Sequence, residues 1–205
     1  MPKRFVLGTG GLSRSLTKLV AQYRLIAWRA VPVVWADAAA TISLYDARMP
    51  QSPKRPESVL VVVYTRTGKV LLLRRADHPD FWQSVTGSME WGDEQPAETA
   101  ARELREETGI VVVPAALTDW KLTQRYEIFP QWRYKYAPGI TENTEHFFSL
   151  ELPEEQAVAL SPGEHSEYTW VPFAQAAERV FSWTNRDALL LLTKALAARS
   201  TLRRA

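Results

Sequence analysis

The stretch GSMEWGDEQPAETAARELREETGI, Gly87 to Ile110, sets seven acidic side chains beside two arginines in 24 residues. Its punctuation reads as one helix with defined ends. Pro96 suits a first turn, where its missing N–H is no loss, and Asp93 and Glu94 just before it favour the positive end of the helix dipole. Gly109 suits a left-handed stop. Between these limits Ala97, Ala100, Ala101 and Leu104 recur at helical spacing and are expected to face a core. Glu103, Glu106 and Glu107 then share a side about a quarter of the helix wide.

Three carboxylates this close repel one another unless a cation joins them. Oxygen donors without His or Cys select Mg²⁺, or Mn²⁺, over zinc. Arg102 and Arg105 relieve part of the repulsion, so a solvated helix face laced with ion pairs is the competing reading. The anchoring of the helix on both sides, by a strand and loop ending at Gly87 and by Gly109, favours the metal site.

Outward from the helix the pattern is regular. Ser58 to Thr65 and Val70 to Leu73 are short, valine- and leucine-rich runs separated by Arg66-Thr67-Gly68-Lys69, a buried β-hairpin. Further strands are expected at Phe81 to Thr86, Val111 to Val113, Leu117 to Arg125, His146 to Leu150 and Tyr168 to Val171, with helices at Pro96 to Thr108, Phe173 to Val180 and Thr184 to Arg199. Mixed strands with a few helices argue an α/β or α+β sandwich.

The 205 residues, 46% apolar, suit one globular domain with a sizeable core and an appendage. The absence of cysteine excludes a disulfide framework, a thiol nucleophile and a Cys-based zinc site, and is compatible with a reducing cytoplasm. Residues 1 to 48 carry +5, and the remainder carries −3, so a nucleic-acid-binding surface has no global support there. No apolar run in that first segment makes a signal-peptide core or a membrane span. Residues 15 to 30 have partly helical spacing. Alternatively Met49, which opens a Pro-rich linker running into the first strand, is the native start. The domain is expected over residues 54 to 196, with 1 to 48 as an extension and 197 to 205 as a tail. The oligomeric state is left open.

Gly87, Arg102, Glu103, Leu104, Glu106, Glu107, Gly109 and Ile110 together resemble the Nudix box, G-x5-E-x7-R-E-U-x-E-E-x-G-U, where U is a bulky aliphatic. One extra residue sits in the loop before the helix, so that counting forward from Gly87 selects Asp93 as the first acid and counting back from Arg102 selects Glu94. The resemblance implies a Nudix α/β/α sandwich, with a mixed β-sheet between helices, and hydrolysis of a phosphoanhydride bond in a small-molecule substrate. It implies that Arg102, Glu103, Glu106 and Glu107 belong to the catalytic helix, with Glu103 and Glu107 as metal ligands.

Outside the box, PDFWQSVTGS at Pro79 to Ser88, EIF at Glu127 to Phe129, RYKYAPGITENTE at Arg133 to Glu145, Glu164-His165 and SWTNR at Ser182 to Arg186 resemble a bacterial branch of the family. Its substrate is dihydroneopterin triphosphate, a folate precursor. That narrower resemblance, from about Lys54 to about Leu192, implies Glu164 as a further Mg²⁺ ligand, where an exposed loop residue is the ordinary alternative. It implies Lys54 and Arg75 beside the triphosphate, against plain surface charges, and Thr86 near the ligand, against a turn-satisfying role. Tyr126, Glu127, Ile128 and Phe129 offer a flat surface and a polar edge reader for the pterin, although YEIF is also what a half-buried strand looks like. Ser182 contacts the ligand or helps begin the last helix. His78 and His165 are left out of the catalytic set. The competing functions are a Nudix enzyme acting on dATP, an oxidised nucleotide or another nucleoside diphosphate derivative, and a non-catalytic Nudix-fold sensor.

Overall fold

The computed structural model describes residues 52–92 and 94–202. The expected extension over 1–48, its helical stretch and Asp93 lie outside the described residues. Seven strands, β1 Glu57–Thr65, β2 Lys69–Arg75, β3 Trp82–Gln83, β4 Val85–Ser88, β5 Thr118–Glu127, β6 Glu142–Leu152 and β7 His165–Pro172, form one sheet. The helices are α1 Pro96–Thr108, α2 Phe173–Arg179 and α3 Trp183–Leu202. None of the described helices is long and apolar enough to cross a membrane.

β1 is the organising strand. It turns tightly into β2 in the expected hairpin, pairs antiparallel with β4, and runs parallel to β6 over the whole register from Glu57↔Thr144 to Thr65↔Leu152. Its valine-rich run is buried on both faces, as a strand covered from both sides must be. Alternate residues divide between two cores. Val59, Val61 and Val63 meet Ala100 and Leu104 of α1, whereas Leu60, Val62 and Tyr64 meet Ala176 of α2 and Leu189 of α3. The sheet thus lies between helices, the expected mixed α/β/α sandwich. Burying a leucine such as Leu104 completely contributes about 2 kcal/mol.

Three sequence expectations need correction. Phe81 to Thr86 is two short strands, because the chain changes partners at Ser84: β3 pairs β2, and β4 pairs β1. Gly87 therefore lies inside β4 and does not follow a strand. Val111 to Val113 form no strand. Val111 and Val113 point to solvent, 75% and 67% exposed, and Pro114, which has no N–H, opens a 3-10 turn directly after them. The last helix runs to Leu202, through part of the segment read as a tail.

Candidate active site

α1 has the predicted ends. Pro96 occupies its first turn, and the backbone N–H of Gln95 is capped by Glu98 at 3.0 Å. Gly109 takes φ 72° and donates its N–H to the Arg105 carbonyl at 2.9 Å. The helix lies with Ala100 and Leu104 in the core and turns Glu103 and Glu107 toward β4. Gly87 makes that approach possible: a Cβ there would stand 1.8 Å from Cδ of Glu103. The requirement is space and not a left-handed backbone, since Gly87 is not among the positive-φ residues.

The three helix carboxylates have unequal surroundings. Glu107 is 3% exposed, and its Oε2 accepts from the Thr86 backbone N–H at 3.3 Å. Burial raises its pKa, against the opposing pull of His165. Burial likewise raises Glu103 to about 7, with Arg102 opposing and Glu107 adding to the rise. Glu106 is the most exposed of the three. Arg102 ties the group together. Its Nε donates to Glu94 at 2.9 Å, its Nη1 to Glu103 at 2.8 Å and Glu106 at 3.1 Å, and its Nη2 to the Ser88 carbonyl at 3.0 Å. Glu94 is thereby held to the helix, and it also accepts the Glu90 N–H at 2.6 Å.

Glu164 and His165 complete this wall. Ligand atoms of Glu107, Glu164 and His165 lie within 4.8 Å of one another. His165, set aside in the sequence, is 2% exposed, with Nε2 3.3 Å from Glu107 Oε2 yet no hydrogen-bonding geometry at either ring nitrogen. Close-set carboxylates and an unsatisfied buried imidazole fit a divalent cation. Glu103, its Oε1 engaged by Arg102, lines the same cleft outside that tightest trio.

The cleft continues from the acidic wall into a slot, the two parts sharing Lys54, Arg75, Thr86 and Lys135. Lys54 is anchored by its backbone N–H to the Lys135 carbonyl at 2.8 Å. Burial and then the neighbouring Lys135 lower its ammonium pKa. Arg75 is paired bidentately with Asp77 at 2.8 and 2.7 Å and lies over the Trp132 ring at 5.0 Å. Thr86 has its hydroxyl accepting from Gln83 at 3.0 Å while its N–H serves Glu107, so its turn-satisfying reading has direct contacts. Ser182 accepts the Asn185 N–H at 3.2 Å at the start of α3, and also lines the slot.

Tyr126, Ile128 and Phe129 line this slot, but Glu127 does not. Strand alternation turns Glu127 outward, where it is largely exposed and paired with Arg133. The slot has another carboxylate. Glu145 on β6 is 4% exposed, with Oε2 unpartnered, and burial pushes it up to about 7 against a hydrogen bond from Thr184. Sequence reasoning missed it because the strand was expected to begin at His146. The signal was the period of two, which puts Asn143 and Glu145 on the face of Phe147. Trp132 and Phe181 were also missed as walls, being separated in sequence and joined only by folding.

Residues 54–192 match the NUDIX domain, and the chain belongs to the Nudix hydrolase family. Enzymes of this family use a divalent metal and act on small-molecule phosphate substrates. Over 139 residues the chain is 48% identical to the dihydroneopterin triphosphate diphosphatase of Escherichia coli K12, covering 66% of this chain and 91% of that protein. It is 47% identical over 139 residues to the Haemophilus influenzae protein of the same name, covering 66% and 86%. The solved E. coli dihydroneopterin triphosphate pyrophosphohydrolase superposes with a TM-score of 0.63 at 47% identity, over 68% of this chain and 95% of that one.

Proposed function

We propose that this chain hydrolyses dihydroneopterin triphosphate to dihydroneopterin monophosphate and pyrophosphate, a cytoplasmic step toward folate, with Mg²⁺ held by Glu103, Glu107 and Glu164. The observation that carries this reading is the cleft itself, with a carboxylate wall at one end, cationic side chains in the middle and an aromatic slot at the other. Its order of chemistries is that of a metal-bound polyphosphate joined to a flat heterocycle. The identity to the two bacterial diphosphatases supports the same substrate.

When bound, Mg²⁺ supplies charge neutralisation of the triphosphate and acidification of water. Arg102 orients Glu103 and Glu106, and the Thr86 N–H holds Glu107. Lys54, Lys135 and Arg75 face the triphosphate oxygens and stabilise charge on the leaving pyrophosphate. Phe129, Trp132 and Phe181 pack against the ring and keep water from it. Water attacks the phosphorus nearest the neopterin, and no covalent enzyme intermediate forms.

The test is kcat/KM on the full chain with Mg²⁺ for dihydroneopterin triphosphate, dATP and 8-oxo-dGTP, scored by pyrophosphate release. A preference of about 100-fold or more for the pterin supports the proposal, being the order of selectivity that a site hydrogen-bonded to its substrate readily achieves. Equal or better rates on a nucleotide replace it with a nucleotide-pool enzyme. Binding without turnover replaces it with a sensor.

A further inference from the structure

The slot has apolar walls and a polar floor that is incompletely bonded. Phe81 stacks on Phe181 at 4.3 Å, and Phe129 and Trp132 flank Phe181 at 5.9 and 6.0 Å between ring centroids. In the floor, Glu145 Oε2 has no hydrogen-bond partner, and neither has Asn185 Nδ2 on a residue only 1% exposed. Both side chains line the slot. Asn185 is fixed at the start of α3 by its N–H on Ser182, and its Oδ1 accepts from Ser84 at 3.3 Å, leaving the amino group free. Thr184, the residue before it, hydrogen-bonds Glu145. An acceptor and a donor, both buried and both unmet, therefore share one cavity floor.

Leaving such groups unpaired costs about 1–3 kcal/mol each, and more for a charge. The fold meets each of them only in part, through Thr184 for Glu145 and through Ser84 for Asn185. Glu145 forms no ion pair among the described residues, and its strand neighbours across the register, Ser58 and Gln124, carry no charge. A carboxylate is satisfied by two adjacent N–H donors in one plane. The 2-amino-4-oxo edge of a reduced pterin presents that pair, an amino N–H beside a ring N–H, with a ring carbonyl next to them to accept from an amide. The corresponding edge of adenine sets an acceptor nitrogen beside its amino group, and against a carboxylate that nitrogen is repelled.

We propose that Glu145, with Asn185, determines specificity by reading the amino and ring N–H edge of the 2-amino-4-oxo heterocycle between the aromatic walls. The assignment rests on the pterin reading above and moves the role of edge reader from Glu127 to Glu145. Guanine shares this edge, so the pair selects 2-amino-4-oxo rings as a class and the aromatic walls choose among them.

Two measurements test it. In the first, kcat/KM for dihydroneopterin triphosphate and the inhibition constant of pyrophosphate are compared for wild type, Glu145→Gln and Glu145→Asp. Glu145→Gln is expected to lower kcat/KM by about 30-fold, mainly through KM, as loss of a charge-assisted hydrogen bond does. Pyrophosphate inhibition should change by no more than about twofold, because it reports the other end of the cleft, and Glu145→Asp should recover part of the loss. A Glu145→Gln enzyme within about threefold of wild type overturns the proposal. The second measurement leaves the protein intact and so covers a variant that fails to fold. Wild type is titrated with neopterin and with its 2-desamino analogue, following pterin fluorescence, and a preference of about tenfold or more is expected from one lost hydrogen bond to a charged group. Equal affinities overturn the assignment. Absence of turnover on the triphosphate with neopterin still preferred would instead sink the functional reading and leave the edge-reading site in place.

Discussion

Replacing Glu103 by Gln should stabilise the metal-free protein at pH 8 and do so much less at pH 5. Burial holds Glu103 at about 7, against an ordinary value of 4.5. Because the folded state keeps a proton that the unfolded chain releases above pH 4.5, stability falls as pH rises between these two values and the full penalty is present above 7. At about 1.4 kcal/mol for each pH unit, the penalty is on the order of 3 kcal/mol at pH 8 and about 1 kcal/mol or less at pH 5. Gln has the shape of the neutral acid and escapes it. For a domain of this size about 3 kcal/mol corresponds to a melting shift of about 8 °C. Calorimetric melts in chelator at both pH values measure the gap. Addition of Mg²⁺ at 100 times its dissociation constant should then raise the wild type by about 2.7 kcal/mol and the variant by much less. A variant that melts below wild type at pH 8 in chelator, or a gap of the same size at both pH values, would refute the linkage.

Glu107→Gln should cut kcat by about 100-fold or more while far-UV circular dichroism stays unchanged, since the exchange keeps shape and removes the charge that Thr86 orients. Gly87→Ala forces a methyl group against Glu103, so calorimetry should show a loss of about 2 kcal/mol together with a weakened response to Mg²⁺. Glu127→Ala should leave kcat/KM for dihydroneopterin triphosphate within about twofold, because its partner Arg133 lies with it at the surface and such pairs contribute little. Hydrolysis in ¹⁸O-labelled water should place the label in the monophosphate; label in pyrophosphate would mean attack at a different phosphorus.

Local chemistry made much of the fold readable. Pro96 and Gly109 bound α1 because a missing N–H and a left-handed φ act on their own residues, and the valine run of β1 needed only its composition to announce a strand buried on both faces. The carboxylates of the box were legible for the same reason, since helical spacing alone puts Glu103 and Glu107 one turn apart. What failed was decided by partners distant in sequence. Phe81 to Thr86 divides because β2 and β1 compete for it, and nothing within those six residues encodes that competition. Glu127 looked like an edge reader until the register Glu127↔Glu142 set it facing away from the slot. Glu145 was hidden because the strand was expected to start at His146 whereas β6 starts at Glu142, and the late start leaves Asn143 and Glu145 off the inner face that they share with Phe147.

Two buried carboxyls, Glu103 and Glu145, are each held near 7 by burial, one beside the helix carboxylates and one in the floor of the slot. Neither has a full complement of partners within the fold. Glu103 shares one arginine with two other glutamates, and Glu145 has one hydroxyl. Both ends of the cleft are therefore under-satisfied, and folding bears the cost at each. A ligand that offers cations at one end and adjacent N–H donors at the other relieves both together. A bare polyphosphate–metal complex relieves only the first, and a free pterin only the second. Selectivity for a heterocycle joined to a triphosphate follows from this arrangement without any moving part, because each incomplete ligand leaves one buried carboxyl still unmet.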